Sequence, residues 1–331
     1  MLDVFKQDAF GTVSLTDAFI KAPYKPGRIG AMGLFRESGI RTTTAVIEWK
    51  DGHLSLIQTS PRGGPGSTTS NKKRTAVAVV VPHLERERTI LADELQNVRA
   101  FGSEDATPAY QAIVAEKLAE LRADHEVTLE HMRASAIQGI VKDADGSTLL
   151  NCFTTFAVSQ STGYVTPNPT TDEYGALRGE IVTMQRTVEG VLGAVPVSGY
   201  RAFCGKVFFD TIRADVSISK TLRYADPASL LANDGRSFSF GGVTWEEYVG
   251  STGGTPFFAD SEAYLIPNAD IFRTYYAPAD FIEAVNTIGL PGYAKVVDDA
   301  ELNRWTKIHT QSNPLVLCLR PDAVVKVGLS S

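Results

Sequence analysis

Apolar positions recur at helical spacing most clearly between residues 108 and 138. Tyr110, Val114, Leu118, Leu121, Leu129 and Met132 fall near one stripe, the pattern of a helix with one buried face. Thr107 suits a cap, Pro108 the first helical position, and Gly139 a stop. Some 30 helical residues make a rod of roughly 45 Å. Small enzymes rarely need a single helix that long, whereas a thin extended plate does. A second helix is predicted over Thr170–Leu192, with Ile181, Met184, Val188 and Leu192 on one side.

Elsewhere the pattern predicts strands. Thr42–Lys50 is rich in β-branched residues and is followed by Asp51-Gly52, a hairpin signal, with His53–Ser60 as the returning strand. Residues 61–71 (Pro-Arg-Gly-Gly-Pro-Gly-Ser-Thr-Thr-Ser-Asn) cannot pack a core, and a strand resumes at Ala76–Val81. Residues 42–82 therefore read as long β ribbons around a polar tip. A ribbon of this kind buries little by itself and gains most against a neighbouring chain, because unpaired strand edges invite partners. Leu149–Val158 reads as a strand after an Asp145-Gly146 turn. From Val195 onward strands and short helices alternate over Tyr200–Cys204, Lys206–Tyr224, Phe238–Tyr248 and Ala263–Ile266, separated by glycine turns. The segment Pro314–Val327 reads as a strand pair broken at Arg320-Pro321-Asp322. The first 30 residues, with Pro23, Pro26, Gly27 and Gly30, predict an extended arm holding a short helix around Leu15–Lys21. The fold class is α+β.

Composition narrows the function. A chain of 331 residues with 43% hydrophobic and 21% charged residues can bury a sizeable core. Its net charge of -6 and pI near 5.5 argue against gripping nucleic acid through a basic face; the one clear basic cluster is Lys72-Lys73-Arg74. Cys152, Cys204 and Cys318 are odd in number and far apart, which argues for single buried thiols and a reducing compartment. Charged residues within the first twenty exclude a signal-peptide core. The longest apolar run, Ala76–Pro82, is far short of the roughly 20 residues a membrane helix needs. A soluble, unexported protein with no membrane contact is expected.

Each motif that suggests chemistry fails at a named position. His125-Glu126 begins a zinc-protease helix, but Leu129 stands where a second histidine is required, and His131 lies on another helix face; the segment reads as charged helix surface. Gly63-Gly64-Pro65-Gly66 lacks the glycine a phosphate loop needs at 68, where Thr68 sits, and reads as a flexible tip. No G-x-S-x-G elbow occurs. The five histidines, at 53, 83, 125, 131 and 309, sit in unlike contexts. No catalytic residue, cofactor or metal is expected.

Gly33-Leu34-Phe35-Arg36-Glu37-Ser38 followed by Thr42–Glu48, then Arg62-Gly63-Gly64, then Tyr293-Ala294-Lys295, then Gln311-Ser312-Asn313-Pro314-Leu315 through Arg320-Pro321 occur in an order that resembles the lambda-type phage major capsid protein E family. The resemblance runs from about residue 30 to the end. It implies the Hong Kong 97-type capsid fold: an arm (1–35), an E-loop β-ribbon (36–85), a peripheral domain (86–195) with a spine helix (108–138), an axial domain (196–290), and a return to the peripheral domain (291–331). It implies a subunit that assembles as hexamers and pentamers, in the host cytoplasm, into an icosahedral head around packaged double-stranded DNA. The implied partners are a separate scaffold protein, because only about 30 residues precede Gly33, a portal and a decoration protein. The ribbon-tip residues Arg62, Gly63, Gly64, Lys72, Lys73 and Arg74 become the candidate subunit interface, Lys72 and Lys73 as interface charges rather than crosslinking groups. A nanocompartment shell of the same fold and an unrelated soluble hydrolase are the alternatives.

Overall fold

The computed structural model describes residues 12–22, 27–50, 74–95, 107–168, 170, 175–193, 195–224, 235–302 and 304–330. The chain opens with helices α1 (Thr12–Lys21) and α2 (Arg28–Ala31) and strands β1 (Arg36–Gly39), β2 (Thr44–Lys50), β3 (Arg74–Val80) and β4 (Leu84–Leu91). A short helix α3 (Ala92–Leu95) precedes the long helix α4 (Thr107–Ile137). Then come β5 (Ile140–Lys142), β6 (Thr148–Asn151), α5 (Cys152–Phe156), β7 (Ser161–Val165), α6 (Ala176–Leu192), β8 (Tyr200–Cys204), α7 (Lys206–Arg213) and α8 (Val216–Tyr224). The rest is β9 (Ser237–Phe240), β10 (Val243–Glu247), β11 (Ser251–Thr252), β12 (Thr255–Pro256), β13 (Glu262–Pro267), β14 (Phe272–Tyr276), β15 (Tyr293–Asp298), β16 (Trp305–Ser312), β17 (Pro314–Cys318) and β18 (Val325–Leu329).

Helix α4 spans 31 residues, close to the expected rod, and Gly139 ends it with φ at +81°. Its two halves face different cores. Val114, Leu118 and Leu121 pack with Leu15 and Phe19 of α1 and with Ile90, Ala294 and Ile308 of the antiparallel sheet β15-β16-β4. Leu129, Met132 and Ile137 enter the largest core, shared with α6, α7 and the mixed sheet β7-β18-β13-β8-β10-β9. The predicted face of α6 is buried at Ile181, Met184, Val188 and Leu192. That helix begins at Ala176, after Gly175 with φ at +88°, so of its expected first turns only residues 170 and 175 are described, and they lie outside it.

Two strand expectations need correction. The strand expected over Leu149–Val158 stops at Asn151, whose side chain accepts hydrogen bonds from the N–H groups of Phe153 (3.0 Å) and Thr154 (3.2 Å) and starts α5. Ala157 then closes that helix in the left-handed conformation, φ +54°. The terminal strands β17 and β18 do not pair with each other. Arg320-Pro321-Asp322 turns the chain between sheets, so that β17 joins β1 and β14, while β18 inserts between β7 and β13. The glycine pairs 241–242 and 253–254 do form turns, each residue at positive φ. All three cysteines are buried and free.

Candidate assembly interface

The ribbon is present at its base. Strands β2 and β3 pair antiparallel from Thr44 opposite Val80 to Lys50 opposite Arg74. Alternation gives the ribbon two faces. Ala45, Ile47, Val79 and Val81 are buried against Cys152, Phe156, Ala277, Leu315 and Leu317, which roots the ribbon in the body. The opposite face carries Val46, 64% exposed, and Val80, 75% exposed, with Ala78 directly across from Val46. β-Branched residues thus line both faces, but among the described residues only one face is packed against the body. Of the tip residues expected to form an interface, Arg62, Gly63, Gly64, Lys72 and Lys73 lie outside the described residues, as do the Asp51-Gly52 turn and His53–Ser60. Arg74 is placed by its backbone at the outer end of the described pairing.

A second group of exposed apolar residues had no sequence signal. The segment between β14 and β15 exposes Ile282, Val285, Ile288 and Leu290, Ile282 at 91%. Short runs without periodicity at these positions gave no reason to expect a patch. The segment is held from behind: Gly289 N–H donates to the Ile40 carbonyl at 2.9 Å. A side chain on Gly39 would meet the Gly289 carbonyl oxygen at 2.2 Å, so the close approach of these two backbones requires glycine.

The N-terminal segment is fastened by charged residues of α4 rather than by apolar ones alone. Arg122, Glu126, Glu130 and Arg133 follow one another at four, four and three residues, which aligns them along the helix. Arg122 donates to the carbonyl oxygens of Phe19 and Ile20, both at 3.2 Å, at the C-terminal end of α1, where a cation complements the helix dipole. Its other nitrogen pairs with Glu126 at 3.1 Å. Glu130 accepts from the N–H groups of Ile29 (2.6 Å) and Gly30 (3.0 Å) at the start of α2, and from the Tyr248 hydroxyl (2.7 Å). Arg133 reaches Glu37 of β1 at 2.5 Å. Glu246 of β10 completes the fastening by pairing with Arg28 and with Arg201. Burial pushes the Glu126 carboxyl above its usual range, partly offset by Arg122 and Arg133. The Tyr248 hydroxyl is raised by burial and then by Glu130. The sequence held a faint trace of this in charges one residue beyond the apolar stripe (121/122, 129/130, 132/133). Their partners, some 100 residues away, carried none.

His125 is not a charged surface residue, as the helix pattern suggested. It packs edge-on against Phe19, with ring centroids 5.7 Å apart, and lies 3.1 Å from the Thr310 hydroxyl oxygen. That hydroxyl donates to the Arg86 carbonyl, so His125 Nε2 is the donor in the pair. Burial lowers its pKa to about 4. His131 faces elsewhere, against Phe257, as the helix spacing required. No described helix is long and apolar enough to cross a membrane.

The chain is an α+β body with a ribbon rooted in it and an N-terminal segment fastened to α4, and solved structures show this fold to be the Hong Kong 97-type capsid fold. A crystal structure of an Escherichia coli CFT073 prophage protein, described as a capsid protein, matches with a TM-score of 0.61 at 13% identity, covering 97% of this chain and 99% of that one. The capsid structure of cyanophage P-SCSP1u gives 0.51 at 12% identity, covering 93% and 90%. Residues 11–329 match the family described as phage major capsid protein E, and the chain belongs to that family of tailed-phage capsid subunits. It is 25% identical over 345 residues to the major capsid protein of Pseudomonas phage KPP10, covering 97% of both chains. It is 24% identical over 368 residues to that of Salmonella phage Felix O1 (isolate Felix O1-VT1), covering 99% of this chain and 98% of the relative. The nanocompartment and hydrolase alternatives find no support in these matches.

Proposed function

We propose that the chain assembles through its ribbon, as hexamers and pentamers, into an icosahedral head around packaged double-stranded DNA, in the host cytoplasm and without catalysing a reaction. The observation that carries this reading is the ribbon base: one face anchored in the body, the other apolar and exposed at Val46 and Val80. An apolar strand pair left open in this way gains by lying on another subunit. Contacts that are individually weak then close, because heterologous interfaces with the right rotation form rings. The basic tip, Arg62 with Lys72, Lys73 and Arg74, would set register against acidic surface on a neighbour more than it adds affinity. A chain of net charge -6 would enclose DNA without gripping it. A separate scaffold protein, a portal and a decoration protein complete the expected set of partners.

Arm, ribbon, peripheral, axial and return segments remain the proposed division, with one adjustment. Strand β18 lies between β13 and β7, so residues 325–329 and 161–165 would join the axial sheet, while β15 and β16 return to the sheet that flanks α4. The reading is tested by Val46→Asp combined with Val80→Asp. Sedimentation should show shells for the unsubstituted chain and only small, folded species for the double variant. Shells of normal yield from the variant would remove the ribbon face from the assembly contacts.

A further inference from the structure

One of the scattered histidines, His309, lies in the sheet β15-β16-β4. In the pairing of β4 with β16, Glu87 stands opposite His309 and Glu85 opposite Gln311. Alternation sends Arg86 and Arg88 to the face of β4 that meets α4, where they pair with Asp124 and Glu120, and leaves Glu85 and Glu87 on the other face with His309. His309 Nδ1 lies 3.2 Å from Glu87 Oε1 and 3.4 Å from Glu85 Oε1. One ligand atom from each of the three residues lies within 4.8 Å of the others. We propose that Glu85, Glu87 and His309 bind a borderline divalent cation of the zinc class across β4 and β16.

Several features of the cluster fit a bound ion. Zinc bonds to nitrogen and oxygen of about 2.0–2.2 Å place tetrahedral ligands about 3.4 Å apart, the size of the two nitrogen–oxygen separations here. The imidazole is already oriented, packed edge-on against Phe281 at 5.5 Å between centroids. Each carboxylate has its second oxygen engaged: Glu87 Oε2 with Lys307 Nζ at 2.9 Å, and Glu85 Oε2 with His83 Nε2 at 3.4 Å. Outer partners of this kind fix the orientation of metal ligands. Lys295, opposite His309 in β15, is drawn aside by Glu283 at 2.9 Å, and Lys307 pairs with the outer oxygen of Glu87. An imidazole with two carboxylates suits zinc, nickel or cobalt better than calcium, which takes six to eight oxygens. Glu85 and Glu87 are exposed, so the ion can enter directly and water can complete its shell. The ion would tie β4, the strand that leaves the ribbon, to β16 from the far end of the chain.

The experiment is calorimetric titration of the full-length, chelator-treated chain, dispersed rather than assembled, with zinc chloride, and with calcium chloride for comparison. One zinc per chain and a zinc-dependent rise in the unfolding temperature are expected, with calcium far weaker. Glu87→Gln and His309→Gln should each weaken zinc binding on the order of ten-fold or more, and His53→Gln should leave it unchanged. Glu85→Gln, on an exposed side chain, provides the same test should His309→Gln fail to fold. No zinc binding at millimolar concentration, or binding lost in His53→Gln and retained in the Glu85 and Glu87 variants, would overturn the proposal. Because dispersed chain is used, a failure to form shells leaves this result unaffected.

Discussion

Glu130 of α4 accepts three hydrogen bonds, two of them from the N-terminal segment. It satisfies two backbone donors at the start of α2 and one tyrosine hydroxyl. Removing it leaves those groups buried without a partner, which costs more than a typical hydrogen bond contributes. Glu130→Ala is expected to lower unfolding stability by about 2–4 kcal/mol, measured by denaturant titration of dispersed chain; a loss below about 0.5 kcal/mol, the scale of an ordinary surface change, would show the arm to be held otherwise. His125 makes a prediction in pH. Its folded pKa, about 4, lies below the ordinary histidine value of about 6.5, so the unfolded chain takes up the proton first. The contribution is complete above about pH 6.5 and is lost as pH falls toward 4, by at most about 3 kcal/mol. Asp124 works against this shift, and Arg122, Arg86 and His309 reinforce it. Glu126, raised in the fold, contributes with the opposite sign. Comparison with His125→Gln isolates the histidine: its stability should fall less steeply between pH 6.5 and 4, and an identical slope would contradict the assignment.

At the scale of elements, the α5 region allows two opposed substitutions. Asn151→Ala removes the cap from two N–H groups and should cost about 1 kcal/mol. Ala157→Gly should instead stabilise by up to about 1 kcal/mol, because Ala157 sits at φ +54°, where a Cβ is strained. Thermal unfolding of the two variants should move in opposite directions; a fall for both would mean that α5 is not set by its ends. The same region shows what periodicity could and could not give. Helices α4 and α6 were legible because their buried faces repeat every three or four residues, and the ribbon because β-branched runs flank a stretch that cannot pack. Asn151 was not, since an apolar run read as strand continues through it and only its side-chain hydrogen bonds break the strand. The parting of β17 from β18 was hidden for a different reason: both are apolar, and which sheet each joins is decided by strands 40 to 160 residues earlier. The strands of the ribbon base could be read from the sequence. The exposure of Ile282, Val285, Ile288 and Leu290 could not, because exposure of an apolar residue is a tertiary fact.

For the whole molecule, distant segments meet: α1 and α2 on α4, β4 on β16, and β18 in the sheet of β8 and β13. Such a body should fold without its ribbon tip, since the sequence of residues 61–71 offers no large apolar side chain for a core to bury. Deleting 61–71 is expected to spare subunit folding, judged by unfolding midpoint, and to block or weaken shell formation; intact shells from the deletion would refute the role assigned to the tip. The central claim is assembly itself. Negative-stain electron microscopy of the full-length chain, expressed with and without a phage scaffold protein, addresses it directly. The account predicts closed shells of uniform diameter in at least one of the two preparations, and small monodisperse particles in both would contradict it.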